Sequence, residues 1–274
     1  MNKKFSIKIV SLEKDKIKRD SVLLALENLK LSSYADIFYA VDGNKIDSCV
    51  LTKINSNRKP YWRTGFNRDL SPGEAGCLLS HLTLYKSITE DCIMLILEDD
   101  VNIDPELVHF INRIDKLPSG WDVLLLGHQV DRKRPSRVSL WGRKKNAGFV
   151  VGKPVEMACG TYGYLINYHG AKKLIKVLEN IDAPIDHYTG ITDHINLYVA
   201  KQPLVHFSNE FQYSSNLSSE RYELEKKETS TTSTNFFKIF IKASFLYPSL
   251  KVLLGLLRHM RMRLKVLKVV RRYH

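Results

Sequence analysis

Apolar positions along the first half of the chain change period repeatedly, and each change marks an element. The run "FSIKIVSL" (5–12) predicts a first strand, and the charged stretch from Lys14 to Leu29 predicts a helix after it. A second strand is expected in "ADIFYAVDG" (35–43), closing on Asp42-Gly43, a turn pair. Residues 44–70, ending in "NRKPYWRTGFNRDL", keep neither period and read as irregular.

"SPGEAGCLLSHLTLYKSI" (71–88) opens as a helix, with Ser71 at the N-cap, Pro72 at N1 and Glu74 at N3 of a capping box. Leu78, Leu82 and Tyr85 then fall along one face. "CIMLIL" (92–97) is apolar without alternation, as a central strand covered on both faces would be. "WDVLLLG" (121–127) reads as its partner strand. The segment from Gln129 to Lys153 reads as loop-rich and basic. "CGTYGYLI" (159–166) predicts another strand, followed by a helix over 168–180. Strands alternating with helices predict an α/β fold with a mainly parallel central sheet, and no internal repeat interrupts it.

From Ser214 to Thr234 the composition shifts to Ser, Thr, Glu and Lys and ends in "ETSTTSTN", the character of a linker. The expected division is a domain over 1–221, a linker over 222–235 and a tail over 236–274. In the tail, Leu250, Leu253, Leu257, Met260, Leu264 and Leu267 recur at helical spacing, with Lys and Arg on the neighbouring faces. That pattern predicts a basic amphipathic helix.

Charge sharpens this division. The 274 residues carry a net charge of +13, and the 39 residues from Phe236 contain ten Lys/Arg and no acid, so about +10 of the total sits in the tail. Basicity therefore says little about the body, which has neither an RNP-like aromatic pattern nor zinc-finger spacing, and no nucleic-acid partner is expected. Cys49, Cys77, Cys92 and Cys159 lie far apart and read as small buried hydrophobes in a reducing compartment. The N-terminus reads as a first strand rather than a signal peptide, and no apolar run approaches the ~20 residues that span a bilayer.

The chemistry concentrates at "LILEDDVNID" (95–104), where an apolar strand runs into Glu98, Asp99 and Asp100. In an extended chain residues i and i+2 share a side, so Glu98 and Asp100 are expected to face the same way at the carboxyl end of a central strand. Ligands bind at that end of open α/β sheets. Two hard oxygen ligands there suit Mg²⁺ or Mn²⁺ carrying diphosphate oxygens, and a solvated acidic turn is the alternative. Gly160 and Gly163, within a predicted strand, mark a close approach by backbone or ligand.

"GEAGCLLSH" (73–81), a short distance before "LILEDDVNID", resembles glycosyltransferase family 25, the bacterial lipooligosaccharide glycosyltransferases. Further pieces resemble the family in the same order: "IKIVSLEKDKIKRD", "YAVDG", "GTYGYLINYHGAKKLI", "APIDHYTGITDH" and "NLSSER". The likeness covers roughly residues 3 to 221. It implies a GT-A type fold, a UDP-hexose donor (galactose or glucose), a lipooligosaccharide acceptor, inversion at the anomeric carbon, and a DxD-like metal motif formed by Glu98-Asp99-Asp100.

On that basis Asp100 and Glu98 are the expected ligands of Mn²⁺ or Mg²⁺, with Glu98 and Asp99 also on the nucleotide side. His206 is a candidate late metal ligand. Ser11, Asp42, Ser80, His81 and Thr161 are candidate donor contacts, and the basic residue on the nucleotide side falls among Lys16, Lys18 and Arg19. Asp186 is the preferred general base and Asp193 its rival; a continuous helix over 186–200 would place both on one face. Glu74 reads first as a capping-box partner, and His81 also reads as a satisfied core residue. The implied setting is cytoplasmic, peripheral on the inner membrane, with the tail on anionic lipid. Packing of the tail on the body or on a second copy in a homo-oligomer is the alternative. A catalytically silent membrane-surface scaffold is the competing reading of the whole chain.

Overall fold

The computed structural model describes residues 4–56, 66–128, 138–208 and 211, apart from 147, 156 and 192. The expected linker and tail (222–274), and the closing "NLSSER", lie outside the described residues.

The first strand β1 (Lys4–Ser11) leads through helix α1 (Lys16–Asn28) to β2 (Ala35–Tyr39), close to the expected bounds. The stretch read as irregular contains a helix, α2 (Ser48–Ser56). Helix α3 (Pro72–Ser87) begins with the predicted capping box: the Glu74 N–H donates to Ser71 Oγ, and the Ser71 N–H donates to a Glu74 carboxylate oxygen. Arg68 donates to both oxygens of Glu74 at 2.8 and 2.9 Å. The central strand β3 (Cys92–Glu98), the short β4 (Val101–Ile103) and helix α4 (Leu107–Ile111) follow. Next come β5 (Val123–Leu125), then β6 (Leu140–Asn146) and β7 (Phe149–Pro154). The chain continues through β8 (Gly163–Asn167), α5 (Tyr168–Val177), α6 (Ile185–Thr189), β9 (Leu197–Ala200) and β10 (Val205–Phe207).

Eight strands form one sheet in the order β2-β1-β3-β8-β5-β9-β7-β6, and β4 pairs with β10 in a separate two-stranded ribbon. Strands β8 and β7 run against the other six, so the sheet is mixed but mostly of one direction. The expected partnership of β3 with β5 is not found: β8 inserts between them, antiparallel to both. Residues 140–154, read as loop, form the antiparallel β6–β7 pair at the sheet edge. Its sequence, "LWGRKKN", alternates poorly because an edge strand faces water on much of its surface. The strand expected over 159–166 starts later, at Gly163.

Central burial follows from layers on both faces. Met94 and Ile96 pack with Leu78, Tyr85 and Leu174 from α3 and α5. Ile93, Leu95 and Leu97, the alternate positions of β3, pack with Val22 and Leu26 of α1 and Phe110 of α4. A strand with period-two side chains and helices on both sides has no polar face, which explains the unbroken apolar run in β3. Among the described residues no helix is long and apolar enough to cross a membrane.

Candidate active site

Strand β3 ends at Glu98, and Asp99-Asp100 form a turn before β4. The extended i, i+2 geometry expected for Glu98 and Asp100 therefore stops at Glu98; the two acids meet through a turn instead. Glu98 is fixed from two directions: its N–H donates to Tyr162 O at 3.0 Å and Thr161 Oγ1 donates to its Oε1 at 3.2 Å, while His81 Nε2 lies 4.0 Å from the same oxygen. Burial, then the charges of Asp100 and Asp99, and more weakly that of Asp186, push its pKa up to about 8. Burial also raises Asp99, to about 6, against a hydrogen bond from Ser11, and it raises Asp100 against the pull of Lys18.

The structure thus brings Asp186 to the β3 acids. It sits in the first turn of α6, and its Oδ1 is buried without a hydrogen-bond partner, as is Oδ1 of Asp100. Asp193 does not share its helix. Helix α6 stops at Thr189 with Gly190 as C-cap, and Asp193 falls in a turn before β9. The single helical face expected over 186–200 is therefore absent: Gly190 lies where a Cβ would come within 2.3 Å of Ala158 O.

Other expected contacts have mixed placements. Arg19 is buried, donates to Ser11 Oγ at 3.3 Å and Leu12 O at 3.1 Å, and stacks over Tyr39 at 5.4 Å. Its guanidinium serves the end of β1, whereas Lys18 is the cation acting on Asp99 and Asp100. Ser80 Oγ donates to Gly76 O and accepts from the Val41 N–H, clamping the end of β2 to α3. Asp42 caps a 3-10 turn over Gly43–Lys45, accepting from the Asn44 N–H. His206 is exposed on β10 and opposite Asn102, with His128 nearby; the strand leads back to the acids, since the Ser208 N–H donates to Asp100 O at 2.8 Å. At Gly163 the close approach is internal, because a Cβ there would lie 2.6 Å from Val205 of β10.

The partners of His81, and His128, escaped the sequence reading. His81 Nδ1 pairs with Tyr164 Oη at 2.7 Å, and Tyr164 with Tyr85 Oη at 2.7 Å, a fully buried polar chain behind Glu98. Burial lowers the pKa of His81 to about 4, so the ring is neutral. His128 is buried, bonded through Nε2 to Ala200 O, and held down by burial as well. Tyrosines in a strand look purely apolar in sequence; only the sheet order places Tyr164 beneath α3. The spacing of Cys77 and His81, four apart on a helix, was the one legible signal.

A mixed α/β body with a cluster of partly buried acids at the carboxyl end of its central strand carries them where open α/β sheets bind ligands. The comparisons narrow the class: the profile of glycosyltransferase family 25 (LPS biosynthesis protein) matches residues 4–189, and the chain belongs to that family. It is 27% identical over 175 residues to procollagen galactosyltransferase 2 of Homo sapiens, covering 61% of this chain and 26% of that protein. It is 28% identical over 218 residues to a glycosyltransferase 25 family member of Aedes aegypti, covering 74% and 33%. An inactive glycosyltransferase 25 family member 3 of Homo sapiens is 25% identical over 182 residues, covering 61% and 28%. The chain therefore spans about a third or less of the length of these relatives.

Proposed function

We propose that this chain is a metal-dependent hexosyltransferase that moves a sugar from a UDP-hexose to an acceptor hydroxyl on a lipooligosaccharide, with inversion, on a GT-A-like body. The observation that carries the reading is that Oδ1 of Asp100 and Oδ1 of Asp186, beside Glu98, are buried without a hydrogen-bond partner, with only the His187 ring at 4.0 Å from the latter. A buried carboxylate oxygen that accepts no hydrogen bond is costly unless a cation or a proton meets it. An all-oxygen seat of this kind fits Mn²⁺ or Mg²⁺, with Asp100 as the leading ligand and Glu98 beside it. When bound, the ion neutralises charge that develops on the departing diphosphate.

The chain's own residues do the rest. Asp186 takes the proton from the acceptor hydroxyl as general base. Lys18 and the Ser11–Asp99 contact position the nucleotide side, and Thr161 fixes the Glu98 carboxylate. Galactose is the favoured donor sugar because relatives are named procollagen galactosyltransferases, and the family description favours a lipopolysaccharide-type acceptor. The acid-free basic tail is assigned to the anionic, cytoplasmic membrane surface, where each Lys or Arg adds roughly 1 kcal/mol.

The test is Mn²⁺-dependent UDP release from UDP-galactose in the presence of acceptor, measured for the wild type and for Asp100→Asn. Loss of release, with circular dichroism unchanged, supports the proposal. A wild type that neither hydrolyses nor transfers any UDP-hexose would sink it and favour a silent scaffold.

A further inference from the structure

We propose that Cys77 Sγ, His81 Nε2 and Glu98 Oε1 form a second metal site, one that takes a zinc-class ion and shares only Glu98 with the all-oxygen seat at Asp100. The three donor atoms lie within 4.8 Å of one another. Cys77 and His81 stand four residues apart on α3 and so project from one face of the helix. Glu98 meets them from the end of β3.

His81 supplies the independent sign of a ligand. Its side chain is fully buried, and its Nε2 has no hydrogen-bond partner. Glu98 Oε1 is 4.0 Å away, too far for a hydrogen bond. The other ring nitrogen is already engaged by Tyr164, which is itself held by Tyr85. An imidazole that binds metal is held in this way, with one nitrogen fixed by an outer partner and the other presented to the ion. Thr161, donating to Glu98 Oε1, plays the same orienting part for the carboxylate.

The donor set selects the ion. Thiolate, imidazole and carboxylate are all zinc ligands, at about 2.0–2.3 Å in tetrahedral geometry. Mg²⁺ and Ca²⁺ take oxygen and gain little from sulfur. Tetrahedral ligation at those lengths sets donor atoms roughly 3.3–3.8 Å apart, so donors now within 4.8 Å close by about 1.5 Å at most. Thiolate and carboxylate together neutralise a divalent charge, which makes the buried cluster neutral. With Glu98 24% exposed and Cys77 half-buried, the ion has a route in, and three protein donors leave a fourth position open. Bound there, the ion would pin α3 to the strand that carries the acid turn.

Cobalt(II) titration of the full-length, metal-free chain tests this, because a thiolate ligand gives a charge-transfer absorption in the near ultraviolet that oxygen ligands do not. The expected result is a saturable band at one ion per chain in the wild type and in Asp100→Asn. The band should be lost in Cys77→Ser, and zinc affinity should fall at least about 10-fold in His81→Gln. Cys77 is half-buried, so its serine variant keeps the fold if the buried histidine variant does not. No band in the wild type, a band that survives Cys77→Ser, or one lost in Asp100→Asn would each overturn the proposal. Failure of the hexosyltransferase reading registers separately, as absent UDP release with the cobalt band intact.

Discussion

Thr161 Oγ1 donates a hydrogen bond to Glu98 Oε1 over 3.2 Å, tying the loop before β8 to the end of β3. That contact holds the acid in a partly buried position, where burial, with the charges of Asp100 and Asp99, outweighs the hydrogen bond and raises its pKa from 4.5 to about 8. The folded state therefore retains a proton that the unfolded chain releases. Its stabilisation is fully present below about pH 4.5 and is lost as pH rises towards 8, with a slope of at most about 1.4 kcal/mol per pH unit. His81 acts in the opposite sense: its folded pKa lies below the unfolded 6.5, so its contribution is lost as pH falls towards 4. Asp99, raised to about 6, titrates mostly below about pH 7, so only a small part of its own loss falls in the range above pH 6.5. In the metal-free protein the urea midpoint should fall between pH 6.5 and 8, and in Glu98→Gln it should fall much less. A wild-type midpoint that is level over this range would refute the assignment.

Asp186→Asn should lower turnover by about 10²–10⁴, the usual worth of a general base, with KM for the UDP-sugar little changed. Asp193→Asn should keep most of the activity, because Asp193 sits in a separate turn beyond Gly190. Steady-state kinetics on both variants decide the matter. The reverse pattern would transfer the role to Asp193.

The start of α3 separates two energies. Ser71→Ala removes one capping bond and should cost about 1 kcal/mol in chemical denaturation. Glu74→Ala also removes the carboxylate, only 1% exposed, that makes a two-pronged pair with Arg68, and should cost about 3 kcal/mol or more. Equal losses in the two variants would mean that the ion pair adds nothing beyond the cap.

Gly76 lets α3 approach the end of β2. A Cβ there would lie 2.6 Å from Val41 O and 2.8 Å from Gly43 N, both backbone atoms that cannot swing aside. Gly76→Ala should destabilise the protein by about 1–3 kcal/mol and displace the turn carrying Asp42. Thermal unfolding together with UDP affinity measures both effects. A variant as stable as wild type would show that this contact is looser than the geometry indicates.

How far the sequence was legible depended on the range of the interaction concerned. The capping box at Ser71-Pro72-Glu74 was readable because its partners are three residues apart, and the apolar run of β3 because burial on both faces removes alternation. Insertion of β8 between β3 and β5 was not readable, since strand order depends on contacts between residues about forty or more positions apart. The β6–β7 pair was missed because an edge strand need not alternate.

For the candidate site the same physics holds. Local chemistry in the chain determined that three acids follow the central strand. Tertiary packing alone decided that Asp186 joins those acids, that Arg19 turns inward while Lys18 faces Asp99 and Asp100, and that Tyr164 commits one nitrogen of His81 and leaves the other bare. The reason is that spacing sets which side chains share a face, whereas burial and electrostatic partners exist only once distant segments have been brought into contact.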